Sequence, residues 1–316
     1  MPPPTIPHWL RPAAPDLRRA GLGLRAFTLM GTEITVLAPS AEVEHGARAV
    51  SSLFEEWDQC LSRFKPESEL SCLNRGAGGW VTVSPLLMSV LEESLRAAQG
   101  SGGIFDPTVL NALIDAGYDR TFKELKPQPA RLGRGRPAGA WRRIEVEADR
   151  VRLPAGAGLD FGGIAKGMAV DAAHDLLLGR GLPGFAIDAG GDLRIHGAPP
   201  GVPTWRVAVE TAAGDLTVSL EQGALATSSV LGRRWLSGGR EAHHLIDPRT
   251  GEPSSSGVVS ATAAASTCAE AEVAAKVALL LGSGAGPLYL RSRNLDGLLS
   301  LADRSLVRVG NWPEAC

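Results

Sequence analysis

The sequence has no Cys-x-x-Cys pair, and its four cysteines, Cys60, Cys72, Cys268 and Cys316, follow no metal-ligand spacing. A thiolate metal centre is therefore unsupported. Isolated thiols in a reducing compartment are expected, with a single Cys60–Cys72 disulfide as the alternative. A surplus of charge is also missing: 32 Lys and Arg stand against 34 Asp and Glu, for a net −2. That balance gives no support for general binding to nucleic acid or to a membrane surface. No long apolar run survives either, because Val258–Leu281 is broken by Glu270, Glu272 and Lys276, and no membrane span is expected. The N-terminus lacks the basic start and apolar core of a secretory signal and any early cysteine for a lipid, so the expected location is the cytoplasm. Internal repeats, low-complexity tracts, and the glycine spacings of a P-loop or a dinucleotide fingerprint are absent as well.

What is present is ample length and alternating pattern. A chain of 316 residues buries roughly three quarters of its unfolded surface on folding. Prolines at 2, 3, 4, 7, 12 and 15 predict an extended, poorly ordered leader over 1–24, with one domain from 25 to 316. Phe27–Leu37 reads as a strand bent at Gly31, and a helix is expected from about Pro39 to Phe64, with Val50, Leu53, Phe54, Trp57 and Leu61 on its core face. Ser84-Pro85 opens a second helix that stops at Gly100-Ser101-Gly102-Gly103. The Pro-, Gly- and Arg-rich stretch 127–140 reads as an exposed loop in which Arg131, Arg134, Arg136, Arg142 and Arg143 form either a docking patch or a solvated charged surface.

Downstream, short strands are expected at Phe185–Ile187, Leu193–His196, Trp205–Val209, Leu216–Leu220, Ala242–Ile246 and Val258–Ala263. A helix at Ala269–Leu281 and a hairpin, Gly297–Leu301 with Ser305–Val309, complete the reading. Strand runs with segregated helices predict an α+β fold.

The chemistry concentrates in Asp160-Phe161-Gly162-Gly163-Ile164-Ala165-Lys166-Gly167-Met168-Ala169-Val170-Asp171. Glycines before a helix let backbone N–H groups approach a ligand, a helix start favours anions, and Lys166 adds a cation suited to phosphate oxygens. The bland alternative is a strand-to-helix turn with a surface lysine. Asp106-Pro107-Thr108 reads as an acid and a hydroxyl around a proline, or simply as a helix N-cap. Gly190-Gly191-Asp192 is explicable as hairpin chemistry. His243-His244-Leu245-Ile246-Asp247-Pro248-Arg249-Thr250-Gly251 places a histidine before a short strand and an Asp-Pro turn, and beside a phosphate-favouring helix start it is a candidate general base.

Taken in order, Met30-Gly31-Thr32, Phe105-Asp106-Pro107-Thr108, Asp160 to Asp171, Gly190-Gly191-Asp192, Thr227-Ser228 and His244 to Gly251 resemble the ApbE-type FAD:protein FMN transferases, over about residues 26–310. The resemblance implies an ApbE-like, two-lobed single domain with mixed or antiparallel sheets, flanking helices and FAD in a cleft between lobes. It implies Mg²⁺-assisted splitting of the FAD pyrophosphate, transfer of FMN to a Thr or Ser hydroxyl of a target flavoprotein, and release of AMP. His244 would be the base, and Lys166 with the amides of Gly162 and Gly163 would hold phosphate. Met30, Asp106, Asp160, Asp192 and Thr227 would line the nucleotide site. The Ala165 carbonyl and Glu272 would be metal ligands. Where the family carries an Asp followed four positions later by a Thr, this chain has Glu272 and Lys276. A protonated lysine does not ligate Mg²⁺, so the Lys276 ammonium stands as an alternative to the metal. The alternative functions are a flavin-reserve protein that binds FAD with little or no catalysis, and an FAD pyrophosphatase giving AMP and FMN.

Overall fold

The computed structural model describes residues 7–13, 21–125, 138–198 and 203–312. Arg131, Arg134 and Arg136 lie outside them, as do residues 1–6 and 14–20 of the expected leader. In the described part of that leader, His8–Ala13 forms a 3-10 helix, and Trp9 and Leu10 are buried in a core cluster. Two large apolar side chains adjacent in sequence explain why this piece is folded rather than extended.

Along the chain, strands β1 (Leu22–Leu29) and β2 (Thr32–Pro39) precede helix α1 (Val43–Leu61), helix α2 (Glu69–Arg75), β3 (Trp80–Thr82) and α3 (Pro85–Gly100). Next come α4 (Leu110–Asp115), β4 (Glu145–Glu147), β5 (Arg150–Arg152) and α5 (Ala165–Gly179). Nine strands follow: β6 (Phe185–Ala189), β7 (Asp192–His196), β8 (Trp205–Thr211), β9 (Gly214–Leu220), β10 (Gly223–Ser229), β11 (Arg234–Ser237), β12 (Arg240–His243), β13 (Ile246–Asp247) and β14 (Glu252–Pro253). The chain closes with β15 (Val258–Ala265), α6 (Cys268–Ser292), β16 (Asp296–Leu301) and β17 (Leu306–Val309). This is the α+β class expected.

The chain divides into two compact units. The first takes residues 1–55, 166–228 and 257–316 and is built on an eight-stranded sheet of order β1-β2-β6-β7-β10-β15-β16-β17. One face of that sheet packs Leu37, Ala186, Leu193, Ile195 and Leu298 against Trp205, Val207 and Val209 of β8 and Val218 of β9. Alternate residues of each strand supply this core, as a period of two requires. Helix α6 packs against β15 and β16. By length and composition α6 would pass for a membrane span, but most of it is buried inside the protein, and Gly282 breaks its helical backbone at φ 81°.

The second unit takes residues 56–165 and 229–256. It holds a three-stranded sheet of order β3-β5-β4 and the hairpin β11–β12. Val109, Leu113, Tyr118, Trp235 and Ile246 form its described core cluster. The side chain of Ser68 caps α2 by accepting from Ser71, and that of Ser84 caps α3 by accepting from Leu87, with Pro85 in its first turn.

Several expectations change. Phe27–Leu37 is not one bent strand: Met30 (φ 49°) and Gly31 (φ 70°) both adopt left-handed backbone, the geometry of a two-residue hairpin turn, so the segment is split between β1 and β2. Ala242–Ile246 is divided between β12 and β13. Strand β10, near the middle of the large sheet, goes unpredicted because Ala, Thr and Ser dominate it. The expectation of isolated thiols holds for Cys60, Cys72 and Cys268, which are free.

Candidate active site

The first unit gathers Lys166, Asp192 and Glu272. Lys166 stands at the second position of α5, and its ammonium bonds Asp192 at the start of β7 and the Glu272 carboxylate at 2.7 Å. The other Glu272 oxygen accepts the Gly167 amide at 2.8 Å. Both acids are nearly inaccessible and the lysine side chain is mostly buried. Burial opposes the charged ammonium, yet Asp192 and Glu272 outweigh it and hold the lysine protonated above its ordinary range. Asp192 is displaced upward by burial and by the charge of Glu272.

Glycine decides how close these elements come. A Cβ at Gly167 would lie 2.8 Å from the backbone of Ala269 and Cys268, closer than real contacts allow, so the first turns of α5 and α6 touch only because residue 167 has no side chain. At the β6–β7 turn, Gly190 (φ 68°) and Gly191 (φ 97°) take left-handed backbone, and their amides donate to Asp188. A Cβ at Gly190 would sit 2.0 Å from Thr32 Oγ1, which brings the Met30-Gly31-Thr32 turn against the glycine turn. Thr227 joins the same group: its amide donates to the Gly191 carbonyl, and its hydroxyl bonds that of Thr262 at 2.8 Å. Met30, Lys166, Asp192, Thr227 and Glu272 thus share one unit, with half-buried Lys276 one helical turn beyond Glu272.

In the second unit, Asp106 is not a helix cap. Its Oδ1 accepts both the amide and the hydroxyl of Thr108, at 2.7 and 2.6 Å, while α4 begins only at Leu110. The Asp160 amide donates to the Pro107 carbonyl at 2.8 Å, which ties two of the motifs together. Asp160 itself is engaged internally: Oδ1 accepts the Gly162 amide, and Oδ2 lies 2.6 Å from Arg63 Nε in a nearly inaccessible ion pair. As arranged, Asp160 shapes the loop rather than facing a ligand, and Gly162 has no free amide proton for an anion. Gly163 is buried next to it, and Ala165 opens α5. His243 and His244 are told apart here. His243 Nδ1 accepts the Leu245 amide and Nε2 lies 3.0 Å from the Ser254 carbonyl. Burial also lowers its pKa, which makes it a neutral, structural imidazole. His244, half-buried in the link from β12 to β13, remains the candidate base. Asp247 is clamped by Arg249 and closes the turn that follows.

Sequence reasoning missed Arg63, Asn74 and Asp171 as organisers. Asn74 makes two hydrogen bonds with the backbone of Leu159 and so braces the approach to Asp160. Asp171 accepts from Arg194 at 2.6 Å and from the amides of Cys268 and Ala269 at 2.8 and 3.0 Å. Only Asp171 had a signal, as the last residue of the motif.

Asp192 and Glu272 bring two carboxylates to the Lys166 ammonium, oxygen donors of the kind a hard dication takes. Magnesium takes one or two carboxylates and completes its shell with waters and phosphate oxygens. A cluster of three or more His, Cys, Asp or Glu side chains placed to hold a metal is absent among the described residues, as such a site permits.

Residues 30–299 match the model of the ApbE family. The chain belongs to that family. Among ApbE relatives, an FAD:protein FMN transferase of Treponema pallidum is 29% identical, over 88% of this chain and 83% of its own. One from Vibrio cholerae is 28% identical, over 79% and 77%. The ApbE protein of Thermotoga maritima superimposes with a TM-score of 0.83 at 25% identity, covering 91% of this chain and 97% of its own.

Proposed function

We propose that this ApbE-family chain is an FAD:protein FMN transferase. The observation that carries the reading is the family match across residues 30–299, a span that contains the preorganised Lys166 cluster and His244. The reaction joins the oxygen of an acceptor Thr or Ser hydroxyl to the FMN-side phosphorus of FAD. The bond from that phosphorus to the bridging oxygen breaks, and AMP leaves. Such a transfer needs an in-line hydroxyl, a proton acceptor and neutralisation of phosphate charge. His244 takes the hydroxyl proton. Lys166, fixed by Asp192 and Glu272, presents its ammonium to phosphate without having to be ordered on binding.

Glu272 and the Ala165 carbonyl would hold Mg²⁺, which would supply charge neutralisation when bound. Lys276, on the same helical face as Glu272, is the chain's own cation there. The acceptor would be a flavoprotein domain sharing this chain's compartment, for which we propose the cytoplasm.

The reading is tested with FAD and an acceptor domain bearing a target Thr, with and without Mg²⁺, by following AMP and protein-bound flavin. Covalent FMN with AMP is the expected result. AMP with free FMN would indicate a pyrophosphatase, and bound FAD without AMP would refute an enzyme. His244→Ala is expected to lower turnover at least 100-fold with FAD binding retained; full activity would remove the base assignment.

A further inference from the structure

Strand β7 and helix α5 meet through polar pairs that recur in step. Asp192, Arg194 and His196 are alternate residues on one face of β7, and they meet Lys166, Asp171 and His174 of α5. Lys166 bonds Asp192, Asp171 bonds Arg194, and the rings of His174 and His196 lie 5.6 Å apart. The spacing is geometrically matched. Four strand residues rise about 13 Å, and eight helical residues rise about 12 Å. Slipping α5 along β7 by one residue would break all three pairings together, so the ladder fixes the height at which Lys166 meets Asp192.

The middle rung reaches a third element, α6, through backbone donors. Asp171 spends Oδ1 on Arg194 and on the Cys268 amide, and Oδ2 on the Ala269 amide. These amides are among the first-turn donors of α6 that have no acceptor within the helix, where a carboxylate is favoured by both hydrogen bonding and the helix dipole. Thr267, the residue before the helix, already caps Glu270, so the two caps together account for three first-turn amides. Glu272 lies three residues beyond Ala269, and its carboxylate returns to Lys166 and to the Gly167 amide. A closed loop results: Asp171 of α5 holds the start of α6, and α6 sends Glu272 back to the start of α5.

We propose that Asp171 is a positioning residue for the Lys166 site, acting through the first turn of α6 to set where Glu272 holds the ammonium. The inference rests on the reading of Lys166 as a phosphate-binding group. Asp171 itself touches no substrate. Losing its charge lets α6 shift on α5, so that Glu272 lets go of the Gly167 amide and Lys166 is held by Asp192 alone.

The test uses the full chain and two readouts. Amide hydrogen exchange is measured in wild type, Asp171→Asn and Ser68→Ala without ligand. FAD affinity is measured for the same proteins and for Glu272→Gln alone and combined with Asp171→Asn. Asp171→Asn is expected to speed exchange at Cys268 and Ala269 and, at a distance, at Gly167. It is also expected to weaken FAD binding about tenfold. The double variant should lose little more than the more severe of the two single variants, because the two residues act in series. Ser68→Ala removes a helix cap in the other unit and controls for general destabilisation; it should leave FAD affinity and Gly167 exchange unchanged. Unchanged Gly167 exchange in Asp171→Asn, or additive losses in the double variant, would overturn the proposal. If the wild-type protein binds no FAD but Asp171→Asn still shows the exchange pattern, the phosphate reading is refuted and the positioning role stays intact.

Discussion

A residue with no side chain sets the backbone-to-backbone tolerance between α5 and α6. At Gly167 the neighbour is backbone, so an added methyl has nothing flexible to push aside. Gly167→Ala is expected to destabilise the protein by about 1–3 kcal/mol, the usual range for overpacking. It should also weaken FAD binding, because the displaced helix carries Glu272. Denaturant unfolding and a binding titration check both, and unchanged values would remove the close-approach argument. At this scale the sequence was partly legible. Lys166 was readable because a lysine at a glycine-flanked helix start has few structural uses. That Glu272 would bind it was not readable, since 106 positions separate the two and helical spacing relates Glu272 most directly to Lys276. Asp160 and Asp106 were recognisable as important, but their actual partners, Arg63 and Thr108, depend on loop geometry that has no period. The family resemblance singles out His244 as the base, but no spacing shows that the Leu245 amide and the Ser254 carbonyl engage His243.

Elements were predicted best where local chemistry was strongest. Ser84 and Pro85 announce α3 through the residues that satisfy its first amides, and the cap is found as written. Ser84→Ala is expected to cost about 1 kcal/mol of unfolding free energy, measured by thermal or chemical denaturation; a loss below about 0.3 kcal/mol would mean that water replaces the cap without penalty. The amphipathic run through Phe54 and Trp57 likewise marks α1, because both side chains face a core. Strand β10 escaped notice for the opposite reason. It lies between β7 and β15, where small side chains suffice, and an Ala-Thr-Ser sequence has neither the alternation nor the β-branched bulk that announces a strand. The hairpin at Met30-Gly31 was mistaken for a bend because only one of its two left-handed positions is a glycine. Methionine pays a conformational cost to sit there, and the Thr32–Gly190 contact next to it is part of what holds the turn.

At the scale of the whole molecule, part of the pH dependence of stability lies in a buried acid, Asp188. Asp188 is pushed up to about 7 from an ordinary 3.8, chiefly by burial, with the Gly190 and Gly191 amides working the other way. A carboxylate whose folded pKa lies above its unfolded one binds more protons when folded. Its contribution to stability is therefore greatest below about pH 4 and declines as pH rises towards 7. Asp188→Asn is expected to flatten that decline in denaturation midpoints measured from pH 4 to 8, and an unaltered slope would place its origin elsewhere. The first unit also draws on three separate stretches of chain, the last of them running to the C-terminus. Trp9 and Leu10 share one core cluster with Leu298, and β2 pairs with β6 across some 150 residues. On the ribosome, then, the opening strands must wait, unpaired on one side, until most of the polypeptide has emerged. Such long-range closure is slow, so the nascent chain exposes its unpaired strand edges to aggregation for longer than a protein closed by local contacts would.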